Sequence, residues 1–332
     1  MLRHKVAVLL VVCAALGSGC SDGRQGDELM VTDNPVAAVA ATSPPAAKTP
    51  AGTVTALAEN VVAMAYEPES GTLAVAGKDT VRLYPLGDTL GDTLGEPKTV
   101  DVAAESFTVS GGAFVAAGAN QVVRIATDGT TSPAGSFRGK PVSTASFDGR
   151  TLVAMRDERA VAIVKDAKVQ RMISGDIMSA DQVLSTGKGA VVLDRLRNAV
   201  FELNVPEATI AQGLRAGQGA TNAVTDRFGR VLVTDTRGGA LLAFSLDPLL
   251  LRQNYPVPGA PYAIAYDRER DLAWVTLTET NEVVGYDVAG EEPKEKYRFP
   301  TVSQPNTVAV DPRTGRVMVA SGTGDGIQVI GI

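Results

Sequence analysis

From about residue 52 to the last residue of the chain, short apolar runs rich in Val, Ile and Thr alternate with clusters of Gly, Asp, Asn and Pro. This is the pattern of strands joined by tight turns, and no stretch sustains a helical period. Only Asp247-Pro248-Leu249-Leu250-Leu251 offers a possible helical turn. The clearest units are Asn222–Asp226 followed by Gly229–Thr234, Tyr262–Asp267 followed by Leu272–Thr276, and Asn306–Asp311 followed by Gly315–Ala320. Each reads strand, acidic turn, strand. A third run follows each, at Ala240–Ser245, Glu282–Val288 and Gly326–Ile332. Fainter copies lie upstream: Val61–Glu67 before Gly71–Ala76, Ser106–Ser110 before Ala113–Ala117, Val142–Phe147 before Arg150–Ala154, and Gln182–Thr186 before Gly189–Leu193.

That makes seven copies, and equating Glu67 with Asp311 spaces them by about 41 residues. A period near 40 with three or four short strands per unit is the signature of propeller blades. A two-sheet sandwich with a second domain leaves the period unexplained. The seventh copy stops at Ile332 after its third strand, an edge that would expose unpaired backbone groups. Thr53–Ala58 precedes the first copy and belongs to none. The expectation is therefore an all-β, seven-bladed β-propeller over residues 52–332, with the N-terminal strand supplying the outer strand of the last blade.

Upstream of the repeats the pattern changes. Residues 20–51 are rich in Ala, Pro, Thr, Ser and Asp, a composition that cannot bury a core and reads as a disordered tether. Ahead of it, Arg3 and Lys5 precede the apolar run Val6–Leu16 and the small residues Gly17-Ser18-Gly19 before Cys20. Residues 1–19 thus read as a secretory signal, because the apolar run falls short of the ~20 residues that span a bilayer. The stretch ending at Cys20 resembles the lipobox of bacterial lipoproteins, with Leu16 one place further from the cysteine than in the family. The resemblance implies cleavage before Cys20, diacylation of that residue, and a protein held stably on the extracytoplasmic face of the cell membrane.

Composition then limits the chemistry. The chain has 332 residues, one histidine and two cysteines, and the signal segment holds the histidine, His4, and one cysteine, Cys13. Without that segment there is no Ser-His-Asp triad, no Cys-His dyad, no His-ligated metal and no internal disulfide. Removing it also takes away two basic residues, leaving 29 Lys and Arg against 37 Asp and Glu, so the net charge moves from −6 to −8. No stretch concentrates Lys or Arg, and Lys294-Glu295-Lys296 is interrupted by acid. Nucleic acid is excluded as a partner on this ground.

In the later copies, a strand ending in Asp, a turn with Gly, a Val-rich strand and then a Thr-rich corner form a recurring motif. Asp226, Gly229 and Val233-Thr234-Asp235-Thr236 carry it in one copy, and Asp267, Val275 and Thr278-Glu279-Thr280-Asn281 in the next. This motif resembles the repeat of YncE-like and NHL-like β-propellers, well in the last three copies and weakly in the first four. The resemblance implies a bacterial (actinobacterial) envelope protein that binds or scaffolds, and it assigns no chemistry.

The usable acids and bases are Asp, Glu, Tyr and Lys, which leaves a carboxylate- or Ca²⁺-dependent hydrolase of lactonase or glycosidase type as the alternative. Related lactonases resemble one another in Glu, Asn and Asp at inner strand ends, where this chain has Glu105, Asp181, Asn222 and Asn306 in mixed types. A sialidase box or a quinone site would need tryptophans, and Trp274 is the only one, at an alternating apolar position of a strand. Asp226, Asp267 and Asp311 read as turn aspartates that accept backbone N–H groups. Gly111-Gly112 and Gly217-Gln218-Gly219 read as turns, and the duplication Gly87–Leu94 as a tolerated loop insertion. The expectation is no catalytic residue, no metal and no cofactor. The candidate site is the channel mouth ringed by the starts of the innermost strands: Asn60, Glu105, Asp181, Asn222, Tyr262 and Asn306, with Lys140 in the third copy. Such a polar ring suits an envelope protein, a peptide or a glycan.

Overall fold

A computed structural model of the chain describes Leu29 and residues 32–86 and 93–332. The signal segment, Cys20 and the core of the Gly87–Leu94 duplication lie outside the described residues. The described strands form seven four-stranded antiparallel sheets. Blades 1 to 6 begin with the innermost strands Ala63–Glu67, Ser106–Ser110, Pro141–Phe147, Gln182–Thr186, Ala220–Thr225 and Pro261–Asp267, and each meanders outward through three more. Blade 7 contributes Pro305–Val310, Val317–Ser321 and Ile327–Ile330, and its fourth strand is Thr53–Thr55. Thr53 lies opposite Val329 and Thr55 opposite Ile327, so the N-terminal strand closes the ring as the sequence pattern anticipates. The exposed edge of blade 7 is thereby paired. Innermost strands of consecutive blades touch around the circle, including those of blades 7 and 1.

The apolar runs are nearly continuous because second and third strands are buried on both sheet faces. Thr72–Ala76 and Leu272–Leu277 are buried at every residue. Each core cluster lies between two blades. Leu152, Ile163 and Ile173 of blade 3 meet Val192 and Phe201 of blade 4, and Trp274 and Val283 of blade 6 meet Val308 and Val319 of blade 7. Fourth strands are the reverse: Lys168–Ser174 exposes every residue but Ile173. Their polar patterning explains why the repeat announces three strands per blade more clearly than four.

Trp274 is fully buried and stacks on Tyr297 and Phe299, with ring centroids 5.7 and 6.3 Å away. Gly285 on the neighbouring strand makes room for it, since a Cβ there would lie 2.9 Å from the indole ring.

The turn carboxylates accept amide protons as expected. Asp226 Oδ1 accepts from the N–H groups of Phe228 and Arg230 at 3.0 and 2.8 Å. Asp267 does so from Glu269 and Arg270, and Asp311 from Arg313. Glu67 fills the same place in blade 1, accepting from Glu69 and Ser70.

Composition alone reads residues 20–51 as a tether. The part of it that the structure describes contains no strand before Thr53 but lies along the propeller surface, with Ala38 fully buried. Ala and Pro cannot build a core, yet small side chains let a backbone lie close to a surface that already exists.

Candidate functional site

Every innermost strand starts on the same face of the ring, so the strand starts surround one mouth of the central channel. Successive residues of a strand alternate in direction, and in blade 2 Ser106, Thr108 and Ser110 face the channel cavity. Thr144 and Ser146 of blade 3, Ser185 of blade 4 and Asn222 of blade 5 continue the hydroxyl and amide lining. Neighbouring innermost strands belong to different sheets and do not pair through their backbones. Side chains bridge them instead. Thr108 Oγ1 donates to the Thr144 carbonyl at 2.6 Å, and Thr144 Oγ1 donates to Thr108 Oγ1 at 2.9 Å. Ser185 Oγ donates to the Ser146 carbonyl at 2.6 Å. Gln182 both donates to the Ala223 carbonyl and accepts from its N–H, at 2.8 and 2.9 Å. Asn222 Nδ2 reaches the Tyr262 carbonyl at 3.1 Å. These bridges tie neighbouring innermost strands together across the lining.

Charge sits at the mouth. Lys140 Nζ lies 2.5 Å from Glu105 Oε1, and Arg156 Nε donates to Asp181 Oδ1 at 2.8 Å. Asp181 Oδ2 accepts from the Ser179 hydroxyl at 2.5 Å and from the Arg195 N–H at 2.9 Å. Behind it, Asp194 is fully buried and accepts from the N–H groups of Met178, Ser179 and Arg197 at 2.6, 3.1 and 2.8 Å. Burial pushes the Asp194 carboxyl above its ordinary value in spite of these amides. Asp235 holds the equivalent corner of blade 5 through the N–H groups of Gln218, Gly219 and Gly238.

Of the six candidate residues, Glu105, Asp181, Asn222 and Tyr262 line one cavity of about 590 Å³ that runs along blades 2 to 6. Asn60 lines a neighbouring hollow of about 410 Å³ between blades 1 and 2, which shares Glu105 with the first. Asn306 stands apart, its Oδ1 accepting from Gln304 Nε2 at 3.0 Å. Arg156 and Arg195 line the main cavity and were missed from the sequence. Both follow the second strand of their blade, at Met155-Arg156 and Leu193-Asp194-Arg195, and that repeat position is the signal that could have found them. The turn aspartates lie at the other end of the innermost strands, away from this mouth. Among the described residues, no three His, Cys, Asp or Glu side chains are placed to hold a metal ion.

The arrangement can grip a polar molecule through hydroxyls, amides and two ion pairs. Both oxygens of Asp181 are engaged, which leaves that carboxylate poorly placed to shuttle protons.

Neither a protein-family model nor a curated protein matches the sequence. Solved structures do resemble it in shape. Hydrazine synthase of Kuenenia stuttgartiensis is 14% identical with a TM-score of 0.65, covering 84% of this chain and 97% of its own. The WD40 β-propeller domain of Doa1 is 12% identical with a TM-score of 0.64, covering 86% and 96%. A streptogramin B lyase is 10% identical with a TM-score of 0.68, covering 83% and 95%. At these identities the likeness extends to the fold alone, and the chain is a seven-bladed β-propeller.

Proposed function

We propose that the protein is a YncE-like or NHL-like binding module of a bacterial envelope, lipid-anchored through Cys20 on the extracytoplasmic face of the membrane, which captures a polar ligand such as a peptide or glycan at the channel mouth. The observation that carries the binding reading is the open cavity of about 590 Å³, lined by Ser, Thr, Asn and Gln side chains and flanked by the Lys140–Glu105 and Arg156–Asp181 pairs. Hydroxyls and amides that are already bridged between blades keep their geometry when a ligand arrives, so little ordering cost opposes binding. Support for the anchor is the signal pattern ending at Cys20. Scaffold and enzyme functions both occur on this fold, so the fold does not decide between them.

Two measurements test the reading. In a detergent phase partition, the exported chain is expected in the detergent phase and its Cys20→Ala form in the aqueous phase; identical partitioning of the two removes the anchor. Probing peptide and glycan arrays with the Cys20→Ala form is expected to give hits that Tyr262→Ala combined with Lys140→Ala weakens at least tenfold. Hits that survive this double substitution place the binding surface elsewhere.

A further inference from the structure

Residues 36–44 lie extended across the face that carries the channel mouth, passing from blade 4 toward blade 7, and the propeller holds their backbone with side chains. Arg237 Nη2 donates to the carbonyls of Val36 and Ala37 at 3.0 and 3.2 Å. Arg195 donates to the Ala38 carbonyl. Thr278 Oγ1 accepts from the Ala41 N–H at 3.1 Å, and Gln304 Nε2 donates to the Ala41 carbonyl at 2.9 Å. Gln304 Oε1 accepts from the Ser43 N–H at 3.0 Å, and Asn281 Nδ2 donates to the Pro44 carbonyl at 2.8 Å.

Only two side chains of the segment are read. Ala38 is fully buried, and a Cβ on Gly219 would lie 3.0 Å from its methyl group and 2.7 Å from Arg237 Cβ, so the groove takes alanine at 38 only against glycine at 219 and leaves no room for a larger side chain. Ser43 Oγ donates to the Thr278 carbonyl at 2.6 Å and accepts from the Gln304 N–H at 3.1 Å. Val36 and Val39 point away and are each 71% exposed.

A groove that binds main-chain groups through fixed side-chain donors and acceptors recognises an extended conformation, with specificity set by the few inward side chains. The local sequence supports this use. At the corner of blade 6, Thr278 stands where blade 5 has Thr236, whose hydroxyl donates to the Pro261 carbonyl at 2.6 Å and pairs with the Thr221 hydroxyl at 2.7 Å. The Thr278 hydroxyl donates to the Ala260 carbonyl at 3.2 Å and still accepts from the segment.

We propose that the groove formed by Arg195, Arg237, Thr278, Asn281 and Gln304 is a binding site for an extended, Ala/Ser/Pro-rich peptide with alanine at one position and serine five residues later, filled in cis by residues 36–44 and open to a partner segment of the same chemistry when that arm lets go. It is separate from the channel cavity apart from Arg195, which borders both, and it does not depend on what the channel binds. A tethered arm competes at a local concentration of order millimolar, so the groove exchanges its occupant only when the arm is weakened or the partner is abundant.

The test uses the full exported chain. Ala38→Glu with Ser43→Ala spoils the arm and leaves the groove intact. A fluorescein-labelled peptide of residues 34–46 is then titrated and followed by anisotropy. The spoiled-arm chain is expected to bind the peptide at least tenfold more tightly than the unaltered chain, and adding Arg237→Ala with Gln304→Ala should abolish that binding. The same peptide carrying Ala38→Glu should not bind. Circular dichroism and melting of each variant verify that the blades remain folded. Failure of the folded spoiled-arm chain to bind the peptide overturns the proposal. Binding that ignores Arg237 and Gln304 does so too, as does a concentration-dependent dimer of the unaltered chain that exchanges arms, since the occupant would then be a second copy.

Discussion

Closure of the ring rests on a strand from the far end of the chain, and one side chain ties that strand's approach to the rest. Gln328, in the third strand of blade 7, is fully buried. Its Oε1 accepts from the Val302 N–H at 3.0 Å, and its Nε2 donates to the carbonyls of Ala51 and Pro300 at 2.6 and 3.0 Å. Ala51 lies just before the closing strand Thr53–Thr55, and Val302 lies in the passage from blade 6 into blade 7. Gln328→Leu keeps the volume and removes all three bonds. The Pro300 carbonyl still accepts from the Ala51 N–H at 3.0 Å, so the stranded groups are the Val302 N–H and the Ala51 carbonyl. At about 1.5 kcal/mol for each, the substitution costs about 3 kcal/mol. For a domain of this size, about 2 °C per kcal/mol converts that to a melting midpoint lower by roughly 6 °C. Differential scanning calorimetry reads the shift, with Gln170→Leu on the exposed fourth strand of blade 3 as a control expected to change stability by less than about 0.5 kcal/mol. A Gln328→Leu midpoint indistinguishable from that of the control refutes the reading of this residue as the link that fastens closure.

Gly285→Val drives a branched side chain into the indole of Trp274, and the overpacking costs about 1–3 kcal/mol. Because Trp274 is the only tryptophan, its emission reports the displacement directly, and an unshifted spectrum with unchanged stability contradicts the packing described. Glu67 and Asp311 close equivalent turns of blades 1 and 7. Burial pushes both carboxyls up, but bonds from Ser70 and Glu69 in one case, and from the Thr314 hydroxyl and the Arg313 amide in the other, hold them below their ordinary values of 4.5 and 3.8. A depressed folded-state pKa adds stability above the ordinary value that is lost as pH falls through the folded one. Glu67→Gln with Asp311→Asn should therefore cost most at neutral pH, with the gap from the parent narrowing below about pH 4; denaturant titrations at pH 7 and pH 3 with equal gaps exclude this linkage. Asp235→Ala strands the N–H groups of Gln218, Gly219 and Gly238, at about 1 kcal/mol or more each. Urea unfolding should show a loss near 3 kcal/mol, and a loss under 1 kcal/mol would mean that water replaces the carboxylate.

The repeat was legible in the sequence because its physics is local. A strand such as Leu272–Leu277 must be apolar throughout to lie between two blades, and an aspartate such as Asp267 satisfies amides two and three residues away. Both constraints recur every 41 residues or so and can be counted. The closing strand was legible for a related reason, since Thr53–Ala58 had strand character and no blade of its own. Fourth strands such as Lys168–Ser174 were faint, because exposed edges tolerate nearly any side chain.

The candidate site was only partly legible. Counting strand starts found Glu105, Asp181, Asn222 and Tyr262, which do share a cavity, but it also put Asn306 with them, and that side chain is turned to Gln304 instead. Arg156 and Arg195 reach the mouth from a different loop of each blade, so their convergence exists only once the blades are arranged in a circle. The same holds for residues 36–44. Composition read this stretch as a disordered tether that builds no core, and nothing in it marked residues 36–44 as lying against the propeller. Docking was decided by Arg237, Thr278, Asn281 and Gln304, which lie some 200 or more residues further along the chain and meet the segment only because the ring brings blades 5, 6 and 7 together beneath it. What this sequence determined alone is what a residue does with its near neighbours: strand, turn and period. What the tertiary structure decided is which distant side chains share a surface, because closure of a ring is a property of all seven blades at once.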